Sequence, residues 1–295
     1  MWRRAWGALL LGAVMTAVGL CQQPEGYLDV YVAKINPEKR AEFDSVSKKM
    51  ADANRRNKGD TWLALETAYG EQNTVTFVSN RQNYGEVEKG QEAFTGALNK
   101  AFGETGTAVY SQEFNNTLAS SRTEIRRRRW DLSYNAPADP AAYAQVVGNA
   151  RWIRSVIIRV RPGHTLEFEA LLKDLNAASQ KSNQPGMRWV SQVTEGGNPG
   201  MYHLTRFLTA ISDLDQSTPL QEMLGEEGYQ KFLKINAEAV EDVEYVLYHI
   251  LPGISCPAEE IAAVAPDFWN LKPKALTKPK PKAPEASKPG AKGNP

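Results

Sequence analysis

The sequence contains few of the residues that metal, disulfide and thiol chemistry require. Its 295 residues include two cysteines, Cys21 and Cys256, and three histidines. Two cysteines exclude a disulfide scaffold and a CxxC metal or redox motif, and the histidines lack the close spacing of a zinc site. The motifs Gly-x-Ser-x-Gly and Gly-x-x-x-x-Gly-Lys-Ser/Thr do not occur, so no nucleophilic serine or phosphate-binding loop is indicated. No motif therefore names a reaction, and no metal site is expected.

Long apolar runs are also scarce, apart from residues 7–20, which follow a short basic segment. A run of this length is too short to span a bilayer, which needs roughly 20 residues, and it is typical of a secretory signal peptide. We predict that residues 1–23 are a signal peptide and that the protein is exported to the bacterial periplasm or beyond. A lipid anchor on Cys21 is the alternative, but Leu20 occupies the position where a lipobox has Gly, Ala or Ser.

Charge of one sign is concentrated at the C-terminus. The chain has 35 Lys+Arg against 34 Asp+Glu, yet residues 271–295 carry an excess of lysine, so the body before them is acidic. An acidic body lacks the positive surface that phosphate contacts need, which excludes nucleic acid as a partner. The Lys/Pro-rich tail has too few apolar residues to fold, and we predict that it is disordered. It is either simply solvated or touches an anionic surface of the cell envelope.

Two stretches of the body resemble each other. Pro37 and Phe43 in the first half match Pro162 and Phe168 in the second half at the same separation. Ordered matches of this kind indicate that one structural unit occurs twice in the chain. Further matches in the same order pair Trp62 with Trp189, Gly70 with Gly197, Phe114 with Phe232, and Trp130 with Tyr248.

Each half is predicted to run strand, helix, strand, strand, helix, strand. Asn36 and Pro37 are typical of a helix start, and Phe43, Val46 and Met50 recur at helical spacing, which predicts one buried stripe. This βαββαβ order gives a four-stranded antiparallel sheet with both helices on one face. Because a single unit would leave its other face bare, we predict an α+β fold in which two tandem ferredoxin-like units pack sheet to sheet into one barrel.

The boundaries follow from these patterns. The breaks in composition place the segments as follows: the first ferredoxin-like unit at residues 27–135, a linker at 136–152, the second unit at 153–255, a C-terminal extension at 256–270 and the tail at 271–295. Since both halves of the barrel belong to one chain, we expect a monomer with a pseudo-dimeric barrel rather than an obligate homodimer.

Each half shows a strand, followed by Pro37 or Pro162, then Glu-Phe and an apolar helix. With this pattern the sequence resembles the dimeric α+β barrel superfamily over residues 27–254. Its members include antibiotic-biosynthesis-type monooxygenases, NIPSNAP-like proteins, haem-degrading monooxygenases and chlorite-dismutase-like proteins. The pattern is most similar to the antibiotic-biosynthesis-monooxygenase-like and NIPSNAP-like domains. The resemblance implies the barrel but no particular activity, because these families share a topology while their chemistry differs.

Strand alternation predicts which side chains face the barrel interior. In the last strand of the first half, expected over residues 125–133, Trp130 suits the helix side, which places Arg127, Arg129 and Asp131 on the opposite face. Such an interior would gather acidic, basic, imidazole and indole groups in one ligand-binding cavity. The alternative is that the arginines are solvated, the histidines are ordinary satisfied residues and the tryptophans fill the core. The side chains expected in the interior are Trp62, Glu66, Arg127, Arg129, Asp131, Trp189, His203, Tyr245 and His249.

The function predicted from these residues is the binding of a small apolar or partly anionic ligand in the barrel. The first alternative is a cofactor-independent monooxygenase or isomerase that acts on a polyketide- or quinone-like substrate, with imidazole as acid or base. The second is a non-catalytic structural protein of the cell envelope. We expect no cofactor. Haem is the alternative that would need an axial ligand, for which His203 and His249 are the candidates.

Overall fold

The computed structural model describes residues 26–270, so the predicted signal peptide and the predicted disordered tail lie outside the described residues. The first half contains β1 (Tyr27–Ile35), α1 (Arg40–Arg56), β2 (Leu63–Tyr69), β3 (Thr74–Arg81), α2 (Gly85–Asn116) and β4 (Leu118–Arg128). After α3 (Pro140–Asn149), the second half contains β5 (Trp152–Val160), α4 (Thr165–Lys181), β6 (Trp189–Glu195), β7 (Met201–Leu208), α5 (Leu220–Ala239) and β8 (Val240–Ile250). Two short helices follow, α6 (Glu259–Val264) and α7 (Pro266–Trp269).

The eight strands form one closed antiparallel barrel in the order β1-β3-β2-β8-β5-β7-β6-β4, in which β4 returns to pair with β1. The predicted α+β barrel is thereby confirmed. The two halves meet at their edges, because β2 pairs with β8 and β4 pairs with β6. The sheets were expected to pack face to face, whereas hydrogen bonds join them side by side and leave the barrel without an open edge.

The long helices cover the outer face of the barrel as their sequence pattern predicts. In α1 the buried side chains include Phe43, Val46 and Met50, and α4 buries the matching stripe that begins at Phe168. Ile35 of β1 packs with Phe43, so it lies on the outer face of the sheet. Since strand side chains alternate between faces, the neighbouring positions of each strand line the barrel interior.

One end of the barrel is closed by a cap, which we define as helices α3, α6 and α7. The Asp139 side chain accepts a hydrogen bond from the backbone N–H of Ala142 at 2.8 Å and starts α3 directly before Pro140. A Cβ atom at Gly148 would lie 2.6 Å from the Cβ of Val264, so only glycine lets α3 and α6 approach this closely. The segments interpreted as a linker and a C-terminal extension therefore supply the cap.

Helix α2 is broken at Gly103, which has a φ of 71°. The strand that follows it differs from the sequence prediction. The strand expected over residues 125–133 instead begins at Leu118 and ends at Arg128, and residues 130–132 form a short 3₁₀ turn. Within residues 26–270, no helix combines the length and apolar character that a membrane crossing requires.

Candidate functional site

A cavity of about 750 Å³ lies between the outer face of the first half of the barrel and helices α1 and α2. We call it the sheet–helix cavity. Its volume falls within the roughly 300–1,000 Å³ that is usual for small-molecule sites, and such sites are mostly apolar with a few polar groups. The apolar wall is rich in aromatic rings and consists mainly of Tyr31, Met50, Trp62, Phe77, Phe94 and Phe114.

At the same place in the second half of the barrel, apolar side chains of the sheet pack directly against the covering helices. Tyr31 pairs with Phe77 across β1 and β3, and Val156 pairs with Leu204 at the equivalent rung of β5 and β7. Val156 and Leu204 pack into a continuous cluster with α4 and α5, which also contains Phe232. In the first half the corresponding rings line open space.

The helices explain why this space stays open. Ser47 lies one turn after Phe43 in α1, and Leu172 lies one turn after Phe168 in α4. Both positions are buried. Ser47 is 5% exposed, and its Oγ has no hydrogen-bond partner among the residues that the structure describes. A small polar side chain thus replaces a leucine on the cavity wall and offers a hydroxyl to whatever occupies the cavity.

The polar end of the sheet–helix cavity is an ion cluster around Arg81. Nη1 and Nη2 of Arg81 donate to the two carboxylate oxygens of Asp60 at 2.7 and 2.6 Å, and Nη2 also donates to Asp29 at 3.2 Å. Burial alone would lower the pKa of Arg81, but hydrogen bonds and charges of Asp60 and Asp29 outweigh burial and raise it. A Cβ at Gly90 would lie 2.4 Å from Nη2, so this glycine lets α2 pack onto the guanidinium.

A second cavity of about 280 Å³, the lumen cavity, opens inside the barrel beneath the cap. Trp189, Phe207 and Tyr248 form part of its apolar wall, and Ser155 and Arg126 supply polar groups. All five side chains point inward, because the neighbouring residues along each strand face the outer helices.

Glu124 is the buried acid of the barrel interior. Its carboxylate accepts hydrogen bonds from Arg126 at 3.1 Å and from Arg122 at 3.3 Å. Burial would raise the pKa of Glu124, but the charges and hydrogen bonds of the two arginines hold it below the ordinary value. The interior therefore contains a paired and ionised carboxylate.

His203 is the buried base of the same interior. It is 1% exposed, and neither ring nitrogen has a hydrogen-bond partner among the described residues. Burial, followed by the nearby charges of Arg126 and Arg122, lowers the pKa of His203 well below its ordinary value. The imidazole is therefore neutral in the folded protein.

We expect His203 to make stability fall with acid. The folded state keeps the imidazole neutral, while the unfolded chain binds a proton below about pH 6.5, so protonation favours unfolding. Between that pH and the lowered folded pKa, the free energy of unfolding should fall by up to about 1.4 kcal/mol per pH unit from this group. Urea unfolding between pH 5 and 8 should show this slope in the native protein.

The same titration should identify the histidine that is responsible. The variant His203→Phe cannot titrate at this position and should lose that part of the slope. The variant His164→Gln changes an imidazole that pairs with Glu167 at the surface, and it should keep the slope. An unchanged slope in His203→Phe would contradict the assignment.

The structure brings two of the predicted interior residues together inside the barrel. Trp189 and His203 both face the interior, as predicted. Trp62 precedes β2 rather than lying within it, and it lines both cavities. Its indole N–H donates to the backbone oxygen of Ile254 at 2.8 Å, and its ring meets the edge of Phe94.

The prediction that Glu66, Tyr245 and His249 face the interior is wrong. Glu66 lies on the outer face of β2 and pairs with Arg40 of α1. In β8 the interior positions are the neighbours of the predicted ones, among them Tyr248, and this leaves Tyr245 62% exposed. His249 packs on Trp152 of β5 outside the barrel. A shift of one residue in the assumed register accounts for all of these differences.

Arg127, Arg129 and Asp131 also lie outside the barrel interior, contrary to the prediction. Arg127 alternates with the inward-facing Arg126, so it belongs to the outer face of β4. Arg129 and Asp131 follow the end of β4, where Arg129 bonds to Asp131 and to Glu169 of α4. The strand phase was inferred from Trp130, which lies in the 3₁₀ turn and therefore carries no information about β4.

Other site residues were missed altogether. The sequence from Arg122 to Arg126 alternates charged and uncharged side chains, and this period of two signals a charged inner face. Asp29, Asp60 and Arg81 come from β1, the segment before β2 and the end of β3, so no local pattern could have joined them.

No family model and no curated protein matches the chain. Many solved structures are similar to it at low identity, among them the following three. An anthrone oxidase-like protein has a TM-score of 0.49 and 11% identity over 78% of this chain and 92% of its own. The chlorite dismutase of Candidatus Nitrospira defluvii in complex with imidazole has a TM-score of 0.45 and 8% identity over 83% of this chain and 95% of its own. A haem-binding protein from Thermus thermophilus has a TM-score of 0.43 and 12% identity over 78% of this chain and 93% of its own. At these identities no residue of this chain takes its role from them.

The histidines of the chain decide whether its residues fit haem. Among residues 26–270, none of the three histidines lines the sheet–helix cavity. His203 is enclosed in the barrel interior and His249 lies beside Trp152, so neither can act as an axial ligand in this cavity. The residues do not fit a histidine-ligated haem in this cavity. The absence of a cofactor stays a prediction.

Proposed function

We propose that this protein binds a flat, largely apolar small molecule in the sheet–helix cavity. The observation that supports the proposal is the asymmetry between the halves of the barrel. The first half keeps about 750 Å³ open beside Tyr31, Phe77 and Ser47, where the second half is packed with leucine and other apolar side chains. Unfilled apolar volume costs stability, so its presence favours a binding role over a purely structural one.

The charge of the cavity favours a neutral ligand. Asp29 and Asp60 surround the guanidinium of Arg81 and give this cluster a formal charge of −1. Two more carboxylates, of Glu124 and Glu195, also line the cavity. An anionic group would be repelled here, whereas a ligand hydroxyl could donate to a carboxylate and a keto oxygen could accept from the Ser47 hydroxyl. We therefore replace the partly anionic ligand expected for the barrel with a neutral aromatic hydroxy or keto compound for this cavity.

Catalysis is the second candidate, and it rests on Asp29. This carboxylate lines the cavity, its side chain is 28% exposed, and Arg81 contacts one of its oxygens at 3.2 Å. A carboxylate at the polar end of an aromatic cavity could accept a proton from a ring hydroxyl or from an acidic C–H group. This placement supports a cofactor-independent monooxygenase or isomerase acting on a polyketide- or quinone-like substrate. Oxygen uptake or isomerisation with such a compound, lost in Asp29→Asn, would distinguish catalysis from binding.

The binding proposal is tested by filling the cavity. The neutral probe 2-naphthol should bind the native protein, and Ser47→Leu should weaken its affinity by about tenfold or more, since leucine enters the open volume. The same variant should raise the free energy of unfolding by about 1–2 kcal/mol, because it buries apolar atoms and removes an unpaired hydroxyl. Calorimetry and urea unfolding measure the two effects.

A matched control exists on the same helix. Ser45 is exposed on α1, so Ser45→Leu makes an identical chemical change away from the cavity. Equal loss of 2-naphthol binding in both variants, or no binding to the native protein, would contradict the proposal.

We also infer that the barrel arose by tandem duplication of one ferredoxin-like unit. The repeated order of elements supports this, as do the equivalent ladders β1–β3 and β5–β7, which run from Tyr27 with Arg81 and from Trp152 with Leu208. On this view one copy kept its sheet–helix cavity while the other filled it.

Export remains a proposal that rests on the N-terminal sequence. Mass spectrometry of the protein recovered from the periplasm or medium should show a chain that lacks the first residues, up to about Gln23. A full-length chain in the cytoplasmic fraction would contradict export.

A further inference from the structure

We propose that the lumen cavity is a second binding site, distinct from the sheet–helix cavity, and that it takes a small aromatic carboxylate. The site is enclosed by the inner faces of the strands and roofed by the cap, with Tyr143 of α3 and Ile261 of α6 at its mouth. At about 280 Å³ it is much smaller than the sheet–helix cavity, which restricts it to a compact ligand.

Buried polar groups without partners point to a ligand in the lumen. Ser155 lines this cavity and is 4% exposed, yet its Oγ has no hydrogen-bond partner among the described residues. His203 lies directly across the ladder from the lining residue Ser191, and its ring nitrogens are also unpartnered within residues 26–270, but its side chain does not line the cavity. Leaving such groups unsatisfied costs about 1–3 kcal/mol each, so an occupant that bonds to Ser155 is favoured.

Charge selects an anion. Arg128 lines the cavity and donates to two neutral oxygens, Asn80 Oδ1 at 2.6 Å and the Tyr143 hydroxyl at 3.0 Å. No carboxylate among the residues that the structure describes forms an ion pair with it. Arg126 pairs with Glu124, which Arg122 also contacts, and Glu260 at the rim is exposed, where solvent screens its charge. Arg128 therefore leaves one positive charge at the mouth, which a carboxylate would balance.

The position of Arg128 is fixed before any ligand arrives. Its guanidinium lies over the ring of Trp130 at 5.0 Å and near the ring of Tyr143 at 5.2 Å. A guanidinium held in this way loses little side-chain entropy on binding. It can face a carboxylate at the mouth while the ligand body enters the lumen.

The walls select an aromatic body. Trp189 stacks on Tyr143 with ring centroids 5.4 Å apart and contacts Phe207 at 4.9 Å. Offset and edge contacts with such rings favour another flat ring over a branched aliphatic chain. The lumen thus combines an aromatic wall, a cationic mouth and the hydroxyl of Ser155, whereas the sheet–helix cavity ends in a net negative cluster.

The test uses 3-fluoro-4-hydroxybenzoate as the probe, because its ring hydroxyl can bond to Ser155 in the lumen, and follows binding by fluorine NMR in titrations of the full chain. The native protein should bind it, and the neutral 3-fluoro-4-hydroxybenzamide should bind about tenfold more weakly. Arg128→Gln should weaken benzoate binding by about tenfold or more, and Ser155→Ala by a few-fold, since each removes one group that bonds to the ligand.

Two variants serve as controls. Arg122→Gln removes an arginine from the same inward-facing row of β4, but this residue does not line the lumen cavity, so benzoate binding should persist. Ser47→Leu fills the other cavity and should also leave it unchanged, which separates this proposal from the first one. If Arg128→Gln fails to fold, as judged by its thermal melt, Ser155→Ala decides.

Three results would overturn the proposal. The first is that the native protein does not bind the benzoate, which would mean that water alone fills the lumen. The second is that the benzamide binds as tightly as the benzoate. The third is that Arg128→Gln and Arg122→Gln lose equal benzoate affinity.

Discussion

Replacing Trp189 by alanine is expected to lower the free energy of unfolding by about 3–5 kcal/mol, the range for truncating a large buried aromatic side chain. Trp189 is 2% exposed, and its ring contacts Trp130, Tyr143 and Phe207. Its indole N–H donates to the backbone oxygen of Asn135 at 3.0 Å. The residue joins the barrel wall to the cap, so the truncation leaves a cavity that neither can fill by a small shift. Urea unfolding followed by far-ultraviolet circular dichroism measures the loss.

Trp62 provides the comparison within the same barrel. It occupies the matching place in the first half but is only half-buried, because it borders two cavities. Trp62→Ala removes the hydrogen bond to Ile254 and part of an aromatic contact, and leaves less empty volume, so it should cost less than Trp189→Ala. A native-like stability of Trp189→Ala would mean that the cap does not rest on this ring.

The fold could be read from the sequence where burial leaves a periodic signal. The stripes that begin at Phe43 and Phe168 are apolar at helical spacing, and a helix that packs on a sheet must show such a stripe. Closure into a barrel followed from the need of each sheet to cover its bare face. The edge-to-edge junction did not follow, because hydrogen bonds between strands leave no pattern in side-chain chemistry.

The register of β4 could not be read in the same way. Only Leu118 and Ile125 are large apolar residues in this strand, so there was no hydrophobic alternation to fix its phase. The phase came instead from Trp130, which proved to be in a turn. In β7, by contrast, Tyr202 and Leu204 mark the outer face clearly, and the inward position of His203 was predicted.

The sheet–helix cavity was missed for a different reason. Open volume depends on the sizes of side chains that meet from separate elements, and one sequence does not show which of them meet. The comparison of the two halves contained a usable sign, since Ser47 stands where the second half has Leu172. The ion cluster that ends the cavity shows the same contrast, because Arg81 stands where the second half has Leu208.

That contrast suggests replacing Arg81 by the leucine that the second half has at the equivalent position. Arg81→Leu should lower the free energy of unfolding by about 3 kcal/mol or more, although leucine fits the equivalent rung of the other half. The Arg81 side chain is 6% exposed and that of Asp60 is 14% exposed, so the exchange leaves a largely buried carboxylate without its bidentate partner. The apolar gain of leucine is smaller than this penalty, because Asp29 loses the same cation.

A double variant separates charge from packing. Arg81→Leu leaves the Asp60 carboxylate without its partner, and adding Asp60→Asn removes that charge. If electrostatics is the cause, the double variant should therefore recover a large part of the lost stability. If packing against Gly90 of α2 is the cause, the double variant should be as unstable as the single one. Urea unfolding at pH 7 gives both values. A single-variant loss below about 1 kcal/mol would show that water reaches Asp60, and the polar end of the sheet–helix cavity would then be open to solvent.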